Sequence, residues 1–62
     1  MKKKVLIISG GISKERTVSL ETGKQVAKEL KKNGYSIRVC EPDQELTFYI
    51  KNFKPQVIFN AL

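Results

Sequence analysis

Val5-Leu6-Ile7-Ile8 form an unbroken apolar run closed by Ser9-Gly10-Gly11. Continuous rather than alternating apolarity predicts a strand covered on both faces, as in a parallel sheet. The paired glycines stop it and admit backbone angles closed to other residues. Beyond this loop, Val18, Gly23, Val26, Ala27 and Leu30 fall near one stripe, with Lys24, Lys28, Lys31 and Lys32 mostly off it. That spacing predicts an amphipathic helix. Glu21 is expected in its first turn and Lys31-Lys32 in its last, in keeping with the helix dipole. Asn33-Gly34 is a strong stop. Ser13, Thr17 and Ser19 are all candidate caps, which leaves the start open over several residues.

Tyr35, Ile37 and Val39 alternate with Ser36, Arg38 and Cys40. This predicts a half-exposed second strand nearer the sheet edge, broken by Glu41-Pro42-Asp43. Leu46, Tyr49, Ile50 and Phe53 recur at helical spacing and predict a short amphipathic helix ended by Lys54-Pro55. Val57-Ile58-Phe59 opens a third strand that ends over Asn60-Ala61-Leu62. Strand, helix, strand, helix, strand implies two right-handed crossovers: an α/β fold with a three-stranded parallel βαβαβ, Rossmann-like sheet. Such a sheet is thin for an independent fold. Residues 1–62 are therefore expected to form a partial N-terminal domain of a larger protein.

With 62 residues the chain makes at most one small domain, and a domain of this size buries only about 60% of its unfolded surface. A single Cys and the lack of His exclude an internal disulfide framework, a zinc site and any His-based triad. Cys40 is expected to be an inert, partly buried thiol, and one unpaired thiol suits the reducing cytoplasm. No apolar run nears the roughly 18–20 residues of a membrane span. Lys2 to Lys4 mimic a signal-peptide start, but Val5–Ile8 is far too short for the apolar region that would follow. The net charge is +6, yet the lysines are scattered and no RNA-binding aromatic signature interleaves them. Nucleic acid is not an expected partner.

Ligands of open parallel sheets bind outside the carboxyl ends of the strands. Here that edge carries Ser9 through Ser19. A glycine-rich turn before a helix suggests a phosphate cradle. Neither G-x-G-x-x-G nor G-x-x-x-x-G-K-[ST] is present, however, and Glu15 near the helix mouth would repel a pyrophosphate. Glu15 could instead accept helix N–H groups and face a cation or an amine. The alternative is a surface carboxylate paired with Lys14 or Arg16.

The segment Gly10-Gly11-Ile12-Ser13-Lys14-Glu15-Arg16-Thr17-Val18-Ser19-Leu20, followed by Thr22-Gly23, resembles the start of the D-alanine–D-alanine ligases. Their pattern after the first strand is G-G-x-S-x-E-x-x-V-S-L-x-[ST]-G. The likeness runs on through Asn33-Gly34, Pro42-Asp43 and Val57 to Leu62, essentially the whole chain. It implies the pre-ATP-grasp segment of an ATP-grasp enzyme. Such enzymes use ATP and Mg²⁺ (or Mn²⁺) to phosphorylate the carboxylate of one D-alanine. The amine of a second D-alanine then attacks the acyl phosphate, giving D-alanyl-D-alanine for peptidoglycan and cell-wall synthesis in the cytoplasm.

By this resemblance Glu15 is the catalytic and substrate-binding residue that takes the ammonium group of the first D-alanine, within a network with a Ser and a Tyr of later domains. Val18 lines the same pocket. Gly10 and Gly11 make the turn, and Ser13 and Ser19 serve as loop and helix-cap residues. No metal ligand is expected here. The family's His-Gly and Gly-Glu-Asp-Gly segments and its central and C-terminal ATP-grasp domains are absent, and with them the nucleotide site, the metal carboxylates and the oxyanion-stabilising Arg. The fragment alone is therefore expected to be inactive. Its implied partners are D-alanine, the remaining domains of the enzyme, and a second copy, since the family commonly dimerises through this region. Whether the second substrate is D-alanine, D-lactate or D-serine stays open. The competing expectation is a doubly wound nucleotide-binding or regulatory module with Gly10-Gly11 taking a phosphate.

Overall fold

A computed structural model describes residues 3–12 and 14–62. The elements run β1 (Lys4–Ile8), α1 (Arg16–Lys32), β2 (Ser36–Cys40), α2 (Gln44–Asn52) and β3 (Val57–Asn60). Both strand pairs are parallel, in the order β2-β1-β3. This is the expected α/β arrangement of βαβαβ. The strand with the continuous apolar run takes the centre, because only a central strand is covered on both faces and both edges. Val5, Leu6, Ile7 and Ile8 are all buried.

Successive β1 side chains point to opposite faces. Leu6 and Ile8 join Cys40 in a cluster against Leu46 and Tyr49 of α2. Ile7 and Ser9 face α1 at Gly23. The two helices thus cover opposite faces. That follows from two right-handed crossovers stepping in opposite directions across the sheet.

The stripe of α1 that meets the sheet runs through Ser19 and Gly23 to the half-buried Val26, Ala27 and Leu30. Val18, expected on that stripe, is 60% exposed. It lies about 100° around the helix from Ser19. The helix starts at Arg16, so Glu21 falls beyond the first turn, which holds no acidic residue. Glu15 is the N-cap residue, and its side chain makes no capping bond to the helix N–H groups. Thr17 and Ser19 lie inside α1 rather than at its cap, and Ser13 lies outside the described residues. The C-terminal end is as expected: Lys31 and Lys32 occupy the last turn, Asn33 is the cap, and Gly34 turns out with φ 89°.

On β2 the expected alternation holds only in part. Cys40 is buried whereas Val39 is exposed. The register pairs Cys40 with Ile8 on the face that α2 covers. Val39 has a strand neighbour on one side only, because β2 is an edge. Helix α2 is capped by Asp43, whose Oδ1 accepts from the Glu45 N–H at 2.8 Å. Phe53 ends it beneath two cations, with Lys4 Nζ 5.6 Å and Arg38 Cζ 5.0 Å from the ring centre. Ile50, expected on the apolar face, is exposed. Edge strand β3 is exposed throughout, with Val57, Ile58 and Phe59 uncovered. Among the described residues no helix is long and apolar enough to cross a membrane.

Candidate functional site

The strand order reverses between β1 and β3, and the crevice outside the carboxyl ends at such a reversal is where open α/β sheets take ligands. Two segments meet there. The loop after β1 and the first turns of α1 bring Glu15, Val18, Ser19 and Thr22; the end of β3 brings Phe59, Asn60, Ala61 and Leu62. Together they line a depression of about 430 Å³. Glu15 and Val18, singled out in the sequence, lie on its wall three positions apart on the first helical turn. Val18 is exposed here because it faces this depression's edge rather than the sheet.

Gly10 and Gly11 hold φ near 88° and 89°, a region L side chains rarely adopt. A Cβ at Gly10 would also stand 2.9 Å from Glu41 Oε1. Ser19, buried at 4% exposure, ties the loop down. Its Oγ accepts from the Gly10 N–H at 2.8 Å and donates to the Ala61 carbonyl at 2.8 Å. One hydroxyl therefore bridges the loop after β1 to the end of β3, which is a different task from capping a helix. Backbone bonds complete the seam: Ser9 N–H to the Cys40 carbonyl at 3.0 Å and Ala61 N–H to the Ile8 carbonyl at 2.8 Å.

Arg16 and Glu41 make a second tie that the sequence reading missed. In the sequence Arg16 reads only as a neighbour for Glu15. Its guanidinium instead forks onto Glu41, with Nη2 donating to Oε2 at 2.9 Å and Nη1 donating to Oε1. Nη1 also donates to the Gly11 carbonyl at 2.9 Å, and the Gly11 N–H donates to Glu41 Oε1 at 3.2 Å. The one signal that points to this pair is topological: adjacent parallel strands bring the residues after β1 and after β2 to the same sheet edge.

The Arg16 guanidinium, with the Gly11 N–H behind it, lowers the Glu41 carboxyl from an ordinary 4.5 to about 2, and Glu41 in turn raises Arg16. The folded value lies below the unfolded one. The pair's contribution to folding is therefore complete above about pH 4.5 and is lost as pH falls toward 2. A ¹³C NMR titration of the Glu41 carboxyl should show a midpoint near 2, returning toward 4.5 in Arg16→Ala. A wild-type midpoint near 4.5 would show that the pair does not persist in solution.

This geometry is a poor phosphate cradle. The amides of Gly10 and Gly11, which a phosphate would need, are already bonded to Ser19 and Glu41, and the Glu41 carboxylate stands where an anion would approach. Among the described residues no group of three or more His, Cys, Asp or Glu gathers to hold a metal ion. Neither ATP phosphates nor Mg²⁺ fit the described residues of this segment. Burial chiefly, then Glu45 and Asp43, push the Cys40 thiol up, which disfavours the reactive thiolate.

Neither a protein-family model nor a solved structure matches the chain. Curated proteins do. The chain is 68% identical over all 62 residues to a D-alanine–D-alanine ligase of Pelagibacter ubique, of which it covers 20%. It is 41% identical over 61 residues to that of Zymomonas mobilis and 41% over 59 residues to that of Aquifex aeolicus, covering 19% and 20% of those proteins. It thus spans about a fifth of the length of its curated relatives. Matched essentially from end to end, with its glycine turn, Glu15 and Val18 at the crevice between β1 and β3, the chain belongs to the D-alanine–D-alanine ligase family.

Proposed function

We propose that these residues are the part of an ATP-dependent D-alanine–D-alanine ligase that receives the first D-alanine. The observation that carries this is the meeting of Glu15 and Val18 on one depression at the sheet's carboxyl edge, in a chain 68% identical to a ligase. Glu15 supplies a carboxylate for the substrate ammonium group, a charge-assisted contact that fixes which end of the amino acid points inward. Val18 supplies an apolar surface for the small side chain. Gly10 and Gly11 set the turn, with Ser13 as a loop residue and Ser19 as the bridge beneath it. Residues 1–62 act as part of the N-terminal domain. The central and ATP-grasp domains hold ATP and Mg²⁺ (or Mn²⁺), which supply the activation of the carboxylate. The enzyme works in the cytoplasm, feeds peptidoglycan synthesis and pairs as a homodimer.

Purified full-length enzyme should release phosphate from ATP and form D-alanyl-D-alanine only when D-alanine is present. Parallel reactions with D-lactate or D-serine as second substrate fix the acceptor. The 62-residue chain alone should form no dipeptide, since none of its described residues fits ATP phosphates or Mg²⁺. Absence of ATP-dependent dipeptide from the full-length protein would sink the proposal.

A further inference from the structure

Glu15, which would touch substrate, stands at the mouth of α1 after a glycine turn with little stiffness of its own. Gly10 and Gly11 are consecutive left-handed glycines, the residues with most conformational freedom to lose. Ser19 fixes only the Gly10 amide. Both polar groups of Gly11 go instead to one ion pair: its N–H to Glu41 Oε1 and its carbonyl to Arg16 Nη1. The same Arg16 directly follows Glu15 and is the first residue of α1. Three points are thereby held together: the middle of the glycine turn, the mouth of the helix, and the end of β2.

We propose that Arg16 and Glu41 form a positioning clamp that sets the direction of Glu15 toward the substrate amine. The proposal rests on the reading of Glu15 given above. The pair acts through geometry rather than through bulk stability. Its side chains are 44% and 34% exposed, and exposed ion pairs contribute little to folding. A planar guanidinium gripping a carboxylate through two parallel bonds does fix orientation, however, which a Lys at position 16 would not do. Displacing a reacting or binding group by about 1 Å can cost on the order of a hundredfold in rate.

In the full-length enzyme, Glu41→Ala should lower kcat/KM for the first D-alanine by about tenfold or more, while KM for ATP and the melting temperature stay close to wild type. Glu41→Gln keeps an acceptor for Gly11 and should fall between the two; it also carries the test if the alanine variant fails to fold. Arg16→Lys should resemble Arg16→Ala rather than wild type. Combining Glu41→Ala with Glu15→Gln should add little to Glu15→Gln alone, because the clamp has no further group to aim. Wild-type kinetics for Glu41→Ala alongside an impaired Glu15→Gln would overturn the clamp and leave Glu15 standing. A loss that is equal for both substrates, or that tracks a fallen melting temperature, would reduce the pair to a structural contact. Wild-type kinetics for Glu15→Gln itself would remove both the role of Glu15 and the clamp that serves it.

Discussion

Glu15→Gln in the full-length enzyme is expected to lower kcat/KM for the first D-alanine by about ten- to hundredfold. The amide keeps the shape of the side chain and one acceptor but removes the charge that pairs with an ammonium group. Loss of a charge-assisted hydrogen bond in a desolvated site costs about 1.5–3 kcal/mol, which gives that range of rate. The affinity for ATP should stay put, because the Gly10 and Gly11 amides, which a phosphate would need, are bonded within the protein. The competing reading, a surface carboxylate next to Lys14 or Arg16, predicts almost no change. In the structure Arg16 is engaged by Glu41. Steady-state kinetics with each substrate varied separately decides between them, and unaltered kinetics for D-alanine would exclude Glu15.

Gly23→Ala is expected to destabilise the fold, against what helix propensity suggests. An exposed Gly→Ala change inside a helix gains about 1 kcal/mol. At Gly23 the added Cβ would stand 2.7 Å from Ser9 Cβ and 2.9 Å from Ser9 Oγ. Ser9 is 1% exposed and directly precedes the glycine turn, so it has nowhere to retreat. Overpacking of this kind typically costs about 1–3 kcal/mol. The helix must lift from β1, and because Ser19 lies one turn earlier on the same stripe, the lift also strains its bonds to Gly10 and Ala61. Thermal unfolding should show a melting temperature several degrees lower, with D-alanine binding weakened alongside. A higher melting temperature would mean that α1 is not seated this closely on the strand.

Elements defined by local chemistry were legible in the chain itself. The unbroken run Val5–Ile8 marks a strand that must be covered on both faces, and β1 is central. Asn33-Gly34, Pro42-Asp43 and Lys54-Pro55 interrupt the backbone wherever they occur, and the helices and strands end there. Glycines at 10 and 11 announce a turn because few other residues tolerate it, and both have positive φ. The motif around Glu15 points to one family by residue type and spacing alone, and the relatives bear out that family.

The missed features all depend on which residues distant in sequence become neighbours. Ser19 reads as a cap from its type alone, but a helix that begins at Arg16 places it a turn inside, where its hydroxyl reaches the Gly10 amide and the Ala61 carbonyl. Val18 shares a helical stripe with Gly23 on paper. The sheet instead meets the stripe one residue on, since the close approach of Gly23 to Ser9 sets the rotation of α1. Arg16 and Glu41 are 25 positions apart and carry no common pattern. They meet because right-handed crossovers lay β2 parallel to β1 and bring the loops after both strands to one edge. Periodicity records what a segment buries, whereas a partner across the sheet is set by strand order and register, which exist only once the chain has folded.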